Sequence, residues 1–374
     1  MIETAALICL RSSASRRRKA STLKPPSRVS VIVASYNEEK NVDSKLANLF
    51  KQNYPKELME VICVDSSTDK TPYLIKAWQQ RYPSIRLILE DRRRGLAHAL
   101  NIGYSAANGD IVVKSDCDIL HDPDSIGNLL TNFSDERVGA VSGRQVLLGK
   151  NEVESGYRTL LDKKRELESR FGSAYIFETF SGFRRTLLEH IDEHSVADEP
   201  ELALKIRKKG FYTILDENAI FYEQSPTSKL ERLKQKQRRA QGHIQVHLQQ
   251  RGILLSLGRG VFERIIFPTS FFTIVVNPFL LLATLALAVI RLLSSGFDPL
   301  AMIVTLSFVG GLTAYLLEMP KYLAGFLESQ LALVIGWFMF IFKGPSHMWS
   351  KQESTELAQG RFNTPFDPKL HEVS

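Results

Sequence analysis

The chain has few cysteines for its 374 residues, and they are badly placed for bonding or for metal. Cys9, Cys63 and Cys117 lie far apart and form no CxxC pair. A disulfide framework and a zinc finger are therefore excluded. The basic stretch over residues 229–239 has no interleaved aromatics, which argues against a nucleic-acid surface. A secretory leader is also missing from the expected order. The apolar stretch Met1–Leu10 precedes the basic run Arg16-Arg17-Arg18-Lys19, whereas a signal peptide places charge first. What the sequence lacks most conspicuously is charge near its end. Ile265 to Ile290 is 26 residues without one charged side chain. As a helix it would reach about 39 Å, more than the ~30 Å hydrocarbon core of a bilayer.

A second charge-free run covers Pro299–Leu317, and a third, Tyr322–Phe342, carries Glu328. The expectation is two or three membrane-embedded helices over 265–342. A kink is predicted at Asn277-Pro278, and the third run crosses, re-enters or lies in the interface. Lys343, Lys351 and Arg361 favour an inside tail over 343–374. The net charge of +7 is concentrated in two patches. Residues 1–30 carry +6 and residues 229–264 carry +7, so the rest is acidic. The patches call for anionic partners such as phosphates or a membrane surface. They divide the chain into a basic arm (1–27), a soluble domain (28–227), a basic amphipathic segment (228–264), the membrane region and the tail. With no leader, the domain is expected in the cytoplasm, next to an integral membrane anchor.

Residues 28–225 read as an α/β domain. Val29–Val33, Val61–Asp65, Ile85–Leu89 and Ile111–Val113 are β-rich runs. Helical stretches alternate with them, ending near residue 53 and covering Thr71–Arg81 and Gly95–Ala107. That alternation predicts βαβ units and a parallel sheet, with ligands bound at the carboxyl ends of the strands.

The residues after those ends are the candidates for chemistry. Asp116 and Asp118 follow the fourth strand, and two carboxylates at that spacing can address Mg²⁺ or Mn²⁺ together. Asp122-Pro123-Asp124 repeats the spacing, but it reads as a helix cap with Pro123 at the first helical position. Asp65 ends the second strand and could contact a ribose or base or start a capping box for the next helix, and Asn37 and Glu38 after the first strand have the same ambiguity; Asp69 reads as a helix cap. Asp198-Glu199-Pro200-Glu201 opens a helix, where acids suit the dipole and could equally supply a general base. Gln235–Gln241 is a basic helix just before the membrane runs. It faces lipid headgroups or a substrate diphosphate.

The order of these segments is more telling than any one of them. Ser35-Tyr36-Asn37-Glu38, VDSSTDKT from Val64, GLAHALNIG from Gly95, Asp116-x-Asp118, SGFRR from Ser181, DEPELALKIRKKG from Asp198 and Gln235-x-x-Arg238 follow one another. This series resembles the family 2 inverting glycosyltransferases of GT-A fold, above all the membrane-bound branch with cellulose and hyaluronan synthases. The resemblance covers about residues 28–245. It implies a nucleotide-sugar donor, a divalent cation and a lipid-linked or glycan acceptor. By position, Ser35, Tyr36, Glu38 and Asp65 would line the nucleotide pocket, and Gly95 would allow close backbone approach. Asp116 would face the ribose or donor sugar, and Asp118 would hold the metal. Phe183 lies in the segment expected on the acceptor side. Glu199 matches the catalytic base, with Asp198 beside it. Gln235 and Arg238 match the first and fourth positions of a QxxRW motif.

There are two departures. The nucleotide-pocket motif is one residue shorter than VDxGSTD, and the tryptophan of QxxRW is Arg239. An arginine pairs with phosphate rather than stacking under a sugar. The expectation is therefore transfer of a single sugar. A processive polysaccharide synthase and a non-catalytic membrane scaffold are the alternatives.

Overall fold

The computed structural model describes residues 27–148, 152–225, 228–256, 260–295, 298–318 and 320–344. The basic arm over 1–26 and the tail beyond 344 lie outside them.

The first half alternates as its hydrophobic pattern predicts. β1 (Val29–Ser35), α1 (Val42–Phe50), β2 (Met59–Asp65), α2 (Thr71–Arg81), β3 (Ile85–Leu89), α3 (Leu96–Ala106) and β4 (Ile111–Lys114) follow in turn. The strands β1 to β4 are parallel; the inner strands β1, β2 and β4 are largely apolar on both faces because both are covered, while the edge strand β3 exposes Arg86 and Leu89. Ile32, Ile62, Val64 and Val112 point to one core, which includes Leu100 of α3. Val31, Val33, Val61, Cys63 and Val113 alternate with them into a second core under α1 and α2.

Beyond β4 the sheet stops being purely parallel, which departs from the sequence expectation. β5 (Ile119–His121), α4 (Ser125–Thr131), β6 (Val138–Leu148), α5 (Glu152–Arg170), β7 (Ser181–Arg184), α6 (Asp198–Lys208) and β8 (Tyr212–Gln224) complete it. The eight strands run in the order β3-β2-β1-β4-β7-β6-β8-β5. β7 is antiparallel to both β4 and β6, and β5 is antiparallel to β8. The SGFRR segment forms β7, and Phe183 pairs with Val112 of β4. Phe183 is fully buried, so it belongs to the core and not to an acceptor surface. The helix expected to begin at Pro123 instead begins at Ser125, with Asp124 at its N-cap. Asp122 turns the chain into it by accepting from the Asp124 amide at 3.3 Å.

α7 (Lys229–Gln249) opens with a capping box between Ser228 and Glu231. It is less separate than its basic composition suggests. Val246, Ile253, Phe262, Ile266 and Phe267 all join the first core, so the segment after residue 228 is built into the domain.

Among the described residues three helices then follow that are long and apolar enough to cross a membrane: α8 (Phe262–Ser294), α9 (Pro299–Leu317) and α10 (Lys321–Lys343). The disturbance expected at Asn277-Pro278 is a wider π turn over Phe272–Val276. Pro278 leaves the carbonyl of Ile274 without its helical donor. The indole N–H of Trp337 in α10 fills that place at 3.0 Å. α10 is unbroken, which rules out a re-entrant hairpin.

Candidate active site

Ser35 and Asp65 are register partners at the ends of β1 and β2. Lys114 ends β4 alongside. The loops leaving these strand ends, with α6 and α7, enclose a cleft of about 470 Å³.

At one end lie Ser35, Tyr36, Glu38 and Gly95. Gly95 has φ 107° at the start of α3, a conformation that a side chain would strain. The guanidinium of Arg93 lies 4.1 Å over the Tyr36 ring. Asn37 is left-handed at φ 56° and braces the facing loop, accepting from the Thr68 amide at 2.9 Å. Asp65 differs from the sequence expectation. It is fully buried and does not line the cleft. Its carboxylate accepts from Ser35 Oγ at 2.5 Å, Ser67 Oγ at 2.7 Å and the Ser67 amide at 3.1 Å. It therefore fixes the Ser35 loop from behind. Asp69 is not the cap expected of it: Lys70 holds the N-cap position, and Asp69 turns the chain just before it, accepting from the Thr71 amide at 2.9 Å.

At the cleft floor, the loop after β4 presents Asp116 and Asp118. Asp118 is open to solvent within the cleft; the surrounding walls still thin its hydration, and Asp116, Glu223 and Glu38 add like charge. Together they push its carboxyl up to about 7. Oxygen donors crowded in this way suit a hard divalent cation that keeps places open for phosphate oxygens. Among the described residues no set of three or more His, Cys, Asp or Glu converges, so protein would supply only part of a cation's coordination shell. Beneath the loop sits Lys45, which is fully buried. Its ammonium donates to Ser115 Oγ at 2.5 Å and to the Ile119 carbonyl at 3.0 Å. Burial pulls it down to about 8.

Lys114 was not singled out by the sequence. Its ammonium is buried 2.9 Å from Asp198 and 3.5 Å from Asp116, and it donates to Glu199. Burial alone would lower its pKa, but the three carboxylates outweigh that and raise it well above the ordinary lysine value. Asp198 and Glu199 open α6. Enclosure and the Asp198 charge push Glu199 up to about 8, with Lys114 offsetting part of the effect.

The far wall comes from α7. Gln235, Arg238 and Arg239 all face the cleft, so this face of the basic helix does not meet headgroups. Arg239 lies 3.9 Å from Glu223 of β8, and Gln235 lies 3.5 Å from it. Burial, then Arg239, lowers Arg238 below its usual value, while Glu223, Asp116 and Asp118 pull the other way. Beside them Glu178 accepts Arg165 at 2.6 Å, with Arg158 at 3.5 Å. Burial opposes ionisation of Glu178, but these arginines hold its carboxyl down at about 2.

One cleft thus gathers Ser35, Tyr36, Glu38, Gly95, Asp116, Asp118, Asp198, Glu199, Gln235, Arg238 and Arg239, and omits Asp65. Lys114 could have been suspected. A lysine ending an otherwise apolar strand (IVVK) needs a carboxylate partner. Glu178 and Glu223 carry no local signal.

Residues 30–192 match the model of Glycosyl transferase family 2. The chain is 27% identical over 271 residues to the probable glycosyltransferase YdaM of Bacillus subtilis, covering 67% of this chain and 62% of that protein. It is 27% identical over 192 residues to a dolichol-phosphate mannosyltransferase of Pyrococcus furiosus, covering 50% and 54%. The chain therefore spans less than two thirds of either relative. Among solved structures, the mannosyltransferase PcManGT from Pyrobaculum calidifontis, in complex with GDP-Man and Mn²⁺, superposes with a TM-score of 0.70 at 25% identity. That likeness covers 91% of this chain and 98% of the other. The ordered motifs, the mixed sheet, the acidic cleft at its strand ends and these matches together support a family 2 glycosyltransferase domain of GT-A fold in this chain.

Proposed function

We propose that this chain is a membrane-anchored inverting glycosyltransferase. It would move one sugar from a nucleotide-diphosphate donor to a lipid-linked acceptor, with the catalytic domain on the cytoplasmic side. One observation carries the reading. A single cleft runs from Ser35, Tyr36 and Gly95 past Asp116 and Asp118 to the inner face of α7. The outer face of α7 rests on the apolar helix α10, where Gly336 comes against Ala240. Donor and membrane thus lie at opposite walls of one site. The basic residues of α7 beside the apolar helices support the cytoplasmic side. The P. furiosus relative is named for a dolichol phosphate, and the P. calidifontis structure holds GDP-Man and Mn²⁺; both support a lipid phosphate acceptor and a cation-dependent donor.

Asp118 and Asp116 would hold the cation, which supplies positive charge against the diphosphate. Arg238 extends that charge along the cleft toward the leaving group. The acceptor oxygen bonds to the anomeric carbon from the face opposite the departing diphosphate. The bond from the anomeric carbon to the donor's diphosphate oxygen breaks as the new one forms, and its electron pair leaves with the nucleoside diphosphate. A hydroxyl acceptor gives its proton to the carboxylate of Glu199. A phosphate acceptor is already ionised and asks less of Glu199. Arg239 stands where a tryptophan would stack on sugar, and its guanidinium suits an acceptor phosphate.

The test is mass spectrometry of lipid products. Detergent-purified chain is incubated with a panel of nucleotide sugars that includes GDP-mannose and UDP-N-acetylglucosamine, Mn²⁺ or Mg²⁺, and a membrane lipid extract. An Asp118→Asn sample runs alongside. One sugar increment on a lipid, lost in the variant, is the expected result. A ladder of increments would replace single transfer with polymer synthesis. Absence of both product and nucleotide release with every donor would count against the enzymatic reading.

A further inference from the structure

α10 is long and apolar enough to cross a bilayer, yet its neighbours are those of a helix lying flat. We infer that α10 lies in the membrane interface on the catalytic-domain side, so that the chain crosses the bilayer twice, by α8 and α9.

The first ground is what covers it. Lys236 of α7 donates to the Gly325 carbonyl at 3.4 Å and lies 3.5 Å from Glu328. Gln237 reaches Met339, and a Cβ on Gly336 would lie 3.1 Å from Ala240. From Gly325 to Met339 is about 21 Å of helix at 1.5 Å per residue. The α7 partners span only Lys236 to Ala240, so polar α7 passes over α10 and meets it along the stretch that a crossing would place in hydrocarbon. The other face of α7 opens to the cleft through Gln235, Arg238 and Arg239. An α10 that crossed would take Arg232 and Lys236 toward hydrocarbon, where a cation is costly to place.

The second ground is its direction. Gln330 meets Asn277 at 3.3 Å, while Trp337 bonds the Ile274 carbonyl and packs edge-on to Phe279 at 5.0 Å. Gln330 and Trp337 are seven residues apart, about 10 Å along α10. Both meet the same short stretch of α8. A helix running alongside α8 would advance along it by that distance, whereas this one passes across.

The third ground is Glu328, buried at 1% exposure in an apolar helix. Its partners are Arg232 and Lys236, each at 3.5 Å, and Arg232 also binds Glu318 at 2.5 Å. This charge cluster lies at the α7 seam, outside hydrocarbon. The face of α10 turned away from α7 exposes Phe326, Phe338 and Ile341. With Lys321 and Lys343 at its two ends, that face fits the boundary between headgroups and acyl chains. α10 would then be the layer between lipid and the cleft wall α7.

Single-cysteine labelling of full-length chain in sealed membrane vesicles tests this. Cys9 is replaced by serine, and Cys63 and Cys117 stay because both are buried. Tyr73→Cys marks the catalytic domain, Ser294→Cys the end of α8, and Lys343→Cys the end of α10. A membrane-impermeant maleimide should reach Tyr73→Cys and Lys343→Cys from the same side, and Ser294→Cys from the other. Labelling of Lys343→Cys together with Ser294→Cys would make α10 a third crossing and overturn the inference, as would labelling of all three from one side. A spin label at Phe338→Cys should report headgroup depth, and one at Leu287→Cys the bilayer interior. A Phe338 label at the interior depth would also overturn it.

Discussion

The ammonium of Lys114 donates to the carboxylate of Glu199, so one buried cation joins the end of β4 to the start of α6. The same ammonium lies 2.9 Å from Asp198 and 3.5 Å from Asp116. One positive charge thus serves three carboxylates, one from the candidate metal pair and two from the candidate base region. This junction sets where Glu199, the proposed base, stands relative to Asp116 of the proposed metal pair.

Lys114→Met should therefore damage fold and activity together. Three carboxylates would be left facing one another, and breaking a buried ion pair from one side costs about 3–5 kcal/mol. Thermal unfolding in detergent should show a marked drop, with turnover falling at temperatures where the variant is still folded. Lys114→Arg keeps the charge but brings a broader planar group into a closed site, and should restore stability only in part. A Lys114→Met variant that melts like the wild type would mean that the junction does not hold these elements together.

Glu199 gives a pH signature. Its carboxyl is pushed up to about 8, so below that pH most of it is protonated and cannot accept a proton. If it is the base, kcat/KM for a hydroxyl acceptor should rise with pH and level off above about 8. Glu199→Gln should lower the rate by roughly 10²–10⁴-fold and remove this limb. A phosphate acceptor should show a much shallower limb. An unchanged pH profile in Glu199→Gln would exclude the role.

Arg239 separates acceptor from donor. Arg239→Ala removes a charge-assisted donor worth about 1.5–3 kcal/mol, or roughly 10- to 100-fold in affinity. The KM for a lipid phosphate should rise by that order, while the KM for the nucleotide sugar changes little. Equal effects on both would place Arg239 at the donor diphosphate instead.

The parallel half of the sheet was legible because β1, β2 and β4 are buried on both faces and turn residues punctuate the strands. The second half was not. β5, at Ile119–His121, is three residues long and offers no periodicity to read. The cleft was legible where order along the chain carried it, as for Asp116, Asp118 and Glu199. It failed at Asp65, because one sequence cannot tell a carboxylate that faces a ligand from one that is satisfied by Ser35 and Ser67 behind the loop. Glu178 and Glu223 were invisible because their partners, Arg165 and Arg239, are brought to them only by the packing of α5 and α7.

Phe183 shows what the corrected reading predicts. It is buried between β4 and β6, 6.2 Å from Phe177. Phe183→Ala should cost about 3–5 kcal/mol of stability through the lost burial and the cavity left behind. Below its melting temperature, the KM for the acceptor should be close to the wild-type value. A stable variant with a selectively raised acceptor KM would restore Phe183 to the acceptor surface.

Glu178 should make the domain acid-sensitive in a defined window. Burial opposes its ionisation, but Arg165 and Arg158 hold the carboxyl at about 2 in the folded chain, against 4.5 when exposed. A depressed folded-state value means that the stabilisation is fully present above about 4.5 and is lost as pH falls toward 2. The displacement corresponds to roughly 3 kcal/mol at neutral pH, at about 1.4 kcal/mol per unit. Glu178→Gln loses that attraction and leaves two arginines without their acid, so it should melt well below the wild type at pH 7. The two melting curves should converge as the pH approaches 2, where the wild-type carboxyl is itself protonated. A gap between the melting temperatures that stays constant from pH 7 to 2 would show that the Arg158–Glu178–Arg165 group does not stabilise the fold by charge.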